Sequence, residues 1–226
     1  MSTATTARPE PVLTPVDRED YIATARMTFD EWIDWDYEGG LTEWLDGEVH
    51  VYMSVFYPHD TISGFLRMLI GLFVETTDAG TVHTAPYALK VSSRRGREPD
   101  LMFVSTHNEE TSGYKFADGP VDLVVEVISE DSVTRDNRDK FREYESAGVR
   151  EYWIIDSRPG RRIARFYLLD EGRYLEMLPD ESGIYRSTVL AGFWLDVAWL
   201  WQAKPKATAA WAEIVPTIAV GVPNGL

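Results

Sequence analysis

The segment VDLVVEVI, residues 121–128, constrains this chain more than any other stretch. Side chains alternate along a strand. Val121, Leu123, Val125 and Val127 therefore share one face, and Asp122, Val124, Glu126 and Ile128 the other. This is the most apolar strand candidate in the sequence, yet it carries Glu126 between valines. An ionised carboxylate buried there is costly unless it is paired or bound to a metal. The plainer alternative is a buried ion pair with an arginine.

The neighbouring strand candidate, DLMFV, opens with Asp100 directly after Glu98-Pro99. Pro99 fixes the approach and has no N–H to donate. A strand-end aspartate is common, and that is the alternative here. Between the two acids lies room for a strand, a polar loop and a strand. Adjacent strands lie about 4.8 Å apart, so two carboxylates in register can share one divalent cation.

Around this pair the pattern is mixed. Thr28 and Glu31 form a capping box for a short helix through Trp32 and Trp35, stopped at Gly39-Gly40. LTEWLDGEVHVYM reads as a hairpin over 41–45 and 48–53, with Asp46-Gly47 as its two-residue turn. On its first strand Glu43 shares a face with Leu41 and Leu45, which is odd unless the strand lies at an edge. From His59 to about Thr77, Ile62, Phe65, Leu66, Leu69 and Phe73 fall at helical spacing. Residues 81–91 read as one strand, 92–96 as a polar basic turn, 134–147 as a charged helix ending at Gly148, and EYWIID at 151–156 as the next strand. Further strands are expected near 162–169, 173–178 and 184–190. The order predicts an α/β (α+β) domain, a mixed sheet with helices packed on it. Residues 1–25 read as a loose tail, 26–202 as the domain and 203–226 as a peripheral segment.

Composition narrows the setting. There is no cysteine, so disulfides and thiolate metal sites are excluded. No apolar run approaches the roughly 20 residues of a membrane helix, and the N-terminus lacks the pattern of a signal peptide, so the cytoplasm is the expected compartment. The net charge of −15, from 37 acidic and 22 basic residues, argues against broad attraction to nucleic acid but leaves room for a local basic surface.

On the charged helix, Asp136, Lys140 and Tyr144 share a face, and an Asp136–Lys140 surface pair is the plain account of the lysine. At these residues a resemblance enters. EPDLMFVS, followed by VDLVVEVISEDSVTRDNRDKFREYESAGVREYWIIDS, resembles the bacterial "putative restriction endonuclease" family of the PD-(D/E)XK nuclease superfamily. The hairpin EWLDGEVHVYMS, the PHD at the next helix start and the late VLAGFWLDV match its pattern too, over roughly residues 27–200. The resemblance implies a restriction-endonuclease-like fold, a central mixed β-sheet flanked by helices with an N-terminal β-hairpin. Asp100 matches the PD aspartate and Glu126 the second acid. The superfamily pattern places lysine two residues after that acid. Ile128 stands there instead, and in this family the lysine sits on the following helix, where Lys140 matches. Glu43 matches an acid at the edge of the site.

The resemblance thus implies Mg²⁺ or Mn²⁺ held by Asp100, Glu126, the Val127 carbonyl and Glu43, with Lys140 acting on the attacking water or on developing charge. The substrate it implies is nucleic acid, DNA before RNA, and a homodimer would suit duplex cleavage. His59 at a helix start and His83 on a strand are read as structural, Tyr144 as core, and Ser129 to Thr134 as a capping turn. Two other readings compete: an inactive nuclease fold that serves as a binding or regulatory module, which the charge and Ile128 favour, and a glycosidase using paired carboxylates, for which the eight tryptophans fall in core patterns rather than sugar platforms.

Overall fold

The computed structural model describes residues 11–15, 21–35, 37, 40–52, 57–128, 138–158 and 160–221. Among the described residues, fifteen strands are grouped into two large sheets and a small hairpin.

The larger sheet grows from the hairpin. Strands β3 (Thr42–Leu45) and β4 (Glu48–Val51) pair across Asp46-Gly47, both with positive φ, at 54° and 88°. That is the backbone a two-residue primed turn demands. β4 also pairs with β2 (Ala23–Arg26), which pairs with β1 (Thr14–Pro15). On the other side β3 meets β7 (Arg95–Arg97), then β6 (Ala88–Ser92), then β9 (Phe116–Asp118). Helix α1 (Phe29–Ile33) carries the capping box at Thr28 and Glu31, and its Trp32 is buried with Trp44 and Val49 in a core beneath this sheet.

The second sheet is mixed, in the order β13 (Arg173–Met177), β12 (Ile163–Asp170), β11 (Glu151–Asp156), β10 (Leu123–Ile128), β8 (Leu101–Ser105), β5 (Gly80–His83). β10 and β11 run parallel; the other pairs are antiparallel. Every residue of β10 is buried, because both its faces are covered. On one face, helix α2 (Tyr57–Thr77) packs Ile62, Phe65, Leu69 and Phe73 on Leu123, Val125 and Val127. On the other lies helix α3 (Lys140–Ala147), whose Tyr144 joins Val124 and Ile128. Gly148 caps α3 at φ 83°, the left-handed backbone that glycine adopts freely.

Four expectations are corrected. The segment 81–91 is not one strand: Ala85-Pro86 interrupts it, and its halves β5 and β6 belong to different sheets. Residues 92–96 are not simply a turn, since Arg95–Arg97 forms β7. The tail ends earlier than residue 25, because Ala23–Arg26 pairs with β4 and buries Ala23 and Ala25. The C-terminal segment is not peripheral: helix α4 (Ala207–Gly221) buries Ala207, Ala210 and Ile214 in the core with α2. The small sheet β14 (Ile184–Arg186) with β15 (Trp194–Asp196) closes that side. No helix among the described residues is long and apolar enough to cross a membrane.

Candidate nuclease site

Strand pairing brings Asp100 and Glu126 together. Leu101 pairs with Val125 at the end of the antiparallel β8–β10 ladder, so Asp100, just before β8, lies next to the Glu126–Val127 stretch of β10. Asp100 is tied directly to that strand: its Oδ2 accepts the Val127 N–H at 2.7 Å. The same carboxylate faces His59 from α2, with Nε2 3.1 Å from Oδ1 and 3.2 Å from Oδ2. Ser63, one turn along α2, stands 3.4 Å from the other ring nitrogen. That favours the tautomer in which Nε2 carries the proton and donates to Asp100.

Glu126 points to the opposite side of the ladder, toward α3. Its Oε2 lies 2.9 Å from Lys140 Nζ, and its Oε1 accepts from the Tyr144 hydroxyl at 2.7 Å. Burial, and then the charge of Glu126, push the Tyr144 phenol well above its ordinary pKa, so it stays protonated and remains a donor. Lys140 also reaches Glu43 Oε1 at 3.0 Å. Glu43, Glu126 and Lys140 are all nearly inaccessible to solvent. The Asp136–Lys140 pair expected from helical spacing cannot be placed, since Asp136 lies outside the described residues, as does the turn 129–134; the described partners of Lys140 are Glu43 and Glu126.

A second cation completes this group. Arg97 on β7, 2% exposed, donates to Glu43 Oε2 at 2.6 Å and forks onto Glu143 of α3 at 2.8 and 2.9 Å. Desolvation alone would lower its pKa, but the carboxylates of Glu43 and Glu143 more than offset it and hold the guanidinium charged. Glu98, two residues before Asp100, accepts from the Thr42 N–H at 3.1 Å and the Thr42 hydroxyl at 3.0 Å. The Trp32 indole in turn donates to that hydroxyl at 2.8 Å. Burial raises the Glu98 pKa to about 7, the Thr42 hydrogen bonds resist, and Glu43 adds repulsion.

Around the end of β10, then, the carboxyls of Glu43 and Glu126 meet two buried cations, Lys140 and Arg97, the latter shared with Glu143, while Glu98 is held by Thr42 and Asp100 by His59 and the Val127 N–H. All the donors are hard oxygens of the kind that bind Mg²⁺ or Mn²⁺, and burial, with a smaller push from Glu43, raises the pKa of Glu98 beside them. Among the described residues no three His, Asp or Glu side chains are already gathered as a metal cage. The donor chemistry and the charge fit a divalent cation; Asp100 and Glu126, however, each engage other groups in this arrangement.

The Uma2 family, described as "Putative restriction endonuclease", matches residues 27–198. The chain belongs to this family. A solved structure has the same fold: a crystal structure described as a putative nuclease belonging to DUF820 from Anabaena variabilis ATCC 29413, with a TM-score of 0.61, 15% identity, and coverage of 77% of this chain and 99% of that one. No curated protein sequence matches. The Uma2 match, from α1 through the hairpin, α2, β7, the β8–β10 ladder and α3, includes every site residue described above.

Three residues of this neighbourhood are not marked as site residues by the sequence. His59 reads as structural, and the structure sets it against Asp100. His83 lies away from it on β5, stacked on Tyr87 and near the Ser112 hydroxyl at 3.2 Å. Glu98 and Arg97 had no sequence signal of their own, because residues 92–96 read as a turn and Glu98 as the residue leading into Pro99. The clue was the density of charge in RRGREPD beside apolar strands.

Proposed function

We propose that this Uma2 chain is a metal-dependent nuclease that hydrolyses phosphodiester bonds, with DNA as the first substrate to test. The observation that carries the reading is Asp100 held on β10 by the Val127 N–H, one residue from Glu126, with Lys140 buried against Glu126. Family membership and the nuclease-like fold support it.

Asp100, Glu126 and the Val127 carbonyl would hold Mg²⁺ or Mn²⁺, with Glu43 contributing through water. A bound cation of this kind lowers the pKa of an attacking water and offsets charge on the phosphate. The chain's own residues do the rest. The Val127 N–H and His59 fix the Asp100 carboxylate. The Tyr144 hydroxyl sets the rotation of the Glu126 carboxylate. Lys140, held between Glu43 and Glu126, has three N–H donors; turned toward substrate, one of them orients water or meets developing negative charge. Arg97 holds Glu43 and α3 in one frame, so that Lys140 is delivered at a fixed place. Cutting both strands of a duplex suits two copies, and a homodimer is the assembly to look for by light scattering.

The test is incubation of the purified chain with Mg²⁺ or Mn²⁺ and single-stranded, double-stranded and branched DNA, and RNA, beside Asp100→Ala and Glu126→Ala. Cleavage that persists in both variants removes this site. One observation favours the second reading, an inactive fold used for binding: both Glu126 oxygens are engaged by Lys140 and Tyr144. Calorimetry with Mn²⁺ separates the two, since the nuclease reading requires binding and the other does not.

A further inference from the structure

An acidic chain that cuts a polyanion needs a local basic surface near its chemistry. Resting on the nuclease reading, we propose that the turn between β11 and β12 is the contact for the nucleic-acid phosphate backbone, through Arg161 and Arg162. Residues 157–165, SRPGRRIAR, carry four arginines and no acid, in a chain with 37 acidic and 22 basic residues. Arg161, Arg162 and Arg165 are exposed. Arg158 is different: it forks onto the buried Asp156 carboxylate at 2.9 and 2.8 Å and serves the turn itself. Arg165 only approaches Glu176, at 4.0 Å with both about half exposed, a pair worth little in water. Arg161 and Arg162 form no ion pair among the described residues.

The chain's other arginine-rich turn shows what a structural role looks like. Arg94 and Arg95 pair with Asp46, Arg95 and Arg97 with Glu143, and Arg97 with Glu43. Those guanidiniums are consumed internally; the pair at 161 and 162 points its charge at solvent.

Position decides the partner. The turn is pinned to the site strand, because the Ser157 hydroxyl donates to the Ile128 carbonyl at 3.0 Å; the Arg161 N–H closes the turn on itself by donating to the Arg158 carbonyl at 3.0 Å. Ile128 pairs with Asp156 and lies two residues beyond Glu126. At about 3.3 Å per residue and 4.8 Å between strands, the turn starts roughly 10 Å from the Glu126 backbone. With about 3.4 Å of rise per nucleotide, that is two to three nucleotides from a phosphate held at Glu126. Guanidinium forks match phosphate oxygens, and backbone contacts of this kind set register without reading sequence.

The experiment is fluorescence anisotropy of end-labelled single-stranded and duplex oligonucleotides across a salt series, without added divalent cation. It compares the intact chain with Arg161→Gln/Arg162→Gln, with each single variant, and with Arg173→Gln in the β12–β13 turn at the opposite end of β12. The double variant should bind more weakly, with the slope of log K against log salt shallower by about 1.4 on single strands or 1.8 on duplex. The single variants should each show about half of that change, and Arg173→Gln none. A double variant with an unchanged slope, where the intact chain binds, overturns the turn assignment and leaves the nuclease reading standing. An intact chain that binds no oligonucleotide at low salt overturns both. Arginine-dependent binding to phosphatidylserine vesicles without oligonucleotide binding makes the partner a lipid surface and overturns the proposal too. If the double variant melts early, the single variants carry the comparison.

Discussion

Two buried glutamates on adjacent strands, Glu126 on β10 and Glu151 on β11, solve the same problem in opposite ways. Glu151 is fully buried on the α2 side of the sheet. Its Oε1 accepts from the Trp153 indole at 2.6 Å and the Tyr185 hydroxyl at 2.7 Å; its Oε2 accepts from the Ser187 hydroxyl and the Thr188 and Val189 N–H groups at 2.9 to 3.1 Å. These five donors are neutral and come from fixed backbone or core side chains. Glu126, on the α3 side, is met by the buried ammonium of Lys140 and by the Tyr144 phenol. A buried carboxylate is therefore not by itself a sign of chemistry. What distinguishes Glu126 is a cationic partner on a long side chain, further acids close by and an aspartate on the next strand; Glu151 is a clamp that ties the loop after β14 to the sheet.

The comparison breaks most directly through Glu151. Glu151→Ala strands five donors, several of them buried, at about 1–3 kcal/mol for each that finds no new partner, so a loss on the order of 4 kcal/mol is expected in urea unfolding. Glu126→Gln keeps the shape and one acceptor oxygen, and should lose much less. A Glu151→Ala chain as stable as Glu126→Gln would falsify the clamp. Activity should rank the other way. Glu126→Gln and Asp100→Asn each remove several kcal/mol of transition-state stabilisation, on the order of 1,000-fold in cleavage rate, with the fold intact by circular dichroism. A milder Glu151→Gln chain that still folds should cleave within a few-fold of the parent.

Local sequence rules reached some of this and not the rest. Asp46-Gly47, Thr28 with Glu31, and the apolar spacing of α2 each encode their element within a few residues; the hairpin and α2 stand where those signals put them, and α1 starts at its capping box but ends at Ile33, short of the expected Trp35. The alternation in 121–128 separated the two faces of β10 correctly, so Glu126 was conspicuous. The larger sheet is hidden beyond its hairpin, because it is completed by distant pairings, β3 with β7 and β6 with β9, that no local pattern announces. Glu151 was passed over because a glutamate at the start of a strand is ordinary until its five donors are known. Lys140 was reached by resemblance; spacing alone would have given it to Asp136. His59 and Asp100 are 41 positions apart, and only the packing of α2 on the sheet joins them.

His59 sharpens the comparison from the Asp100 side. If it positions the aspartate for a cation, as outer partners of metal ligands do, its loss should weaken Mn²⁺ binding by on the order of 10–100-fold. Calorimetry of His59→Ala and His59→Gln checks this. The glutamine amide can stand near Nε2 and donate to Asp100, so it should recover part of the affinity, whereas a merely space-filling ring would not be rescued by a polar chain of different shape.

The smallest effect concerns Glu98 and the pH at which the site is comfortable. Its carboxyl rises from 4.5 to about 7 in the folded chain, chiefly by burial. The folded state thus holds this proton more tightly than the unfolded state. Linkage then gives the sign: stability from this group is present at low pH and declines as pH rises from about 4.5 to about 7. Glu98→Gln has no such proton to lose. Its stability relative to the parent should therefore improve across that window, by on the order of 1–2 kcal/mol once partial exposure and screening are allowed for. Urea midpoints of the two chains at pH 5 and pH 8 measure the difference. A gap that stays constant between those pH values would mean that Glu98 is already ionised at pH 5, and that burial on the Glu126 side of the sheet is offset for this carboxylate by the Thr42 donors, as the five donors offset it for Glu151.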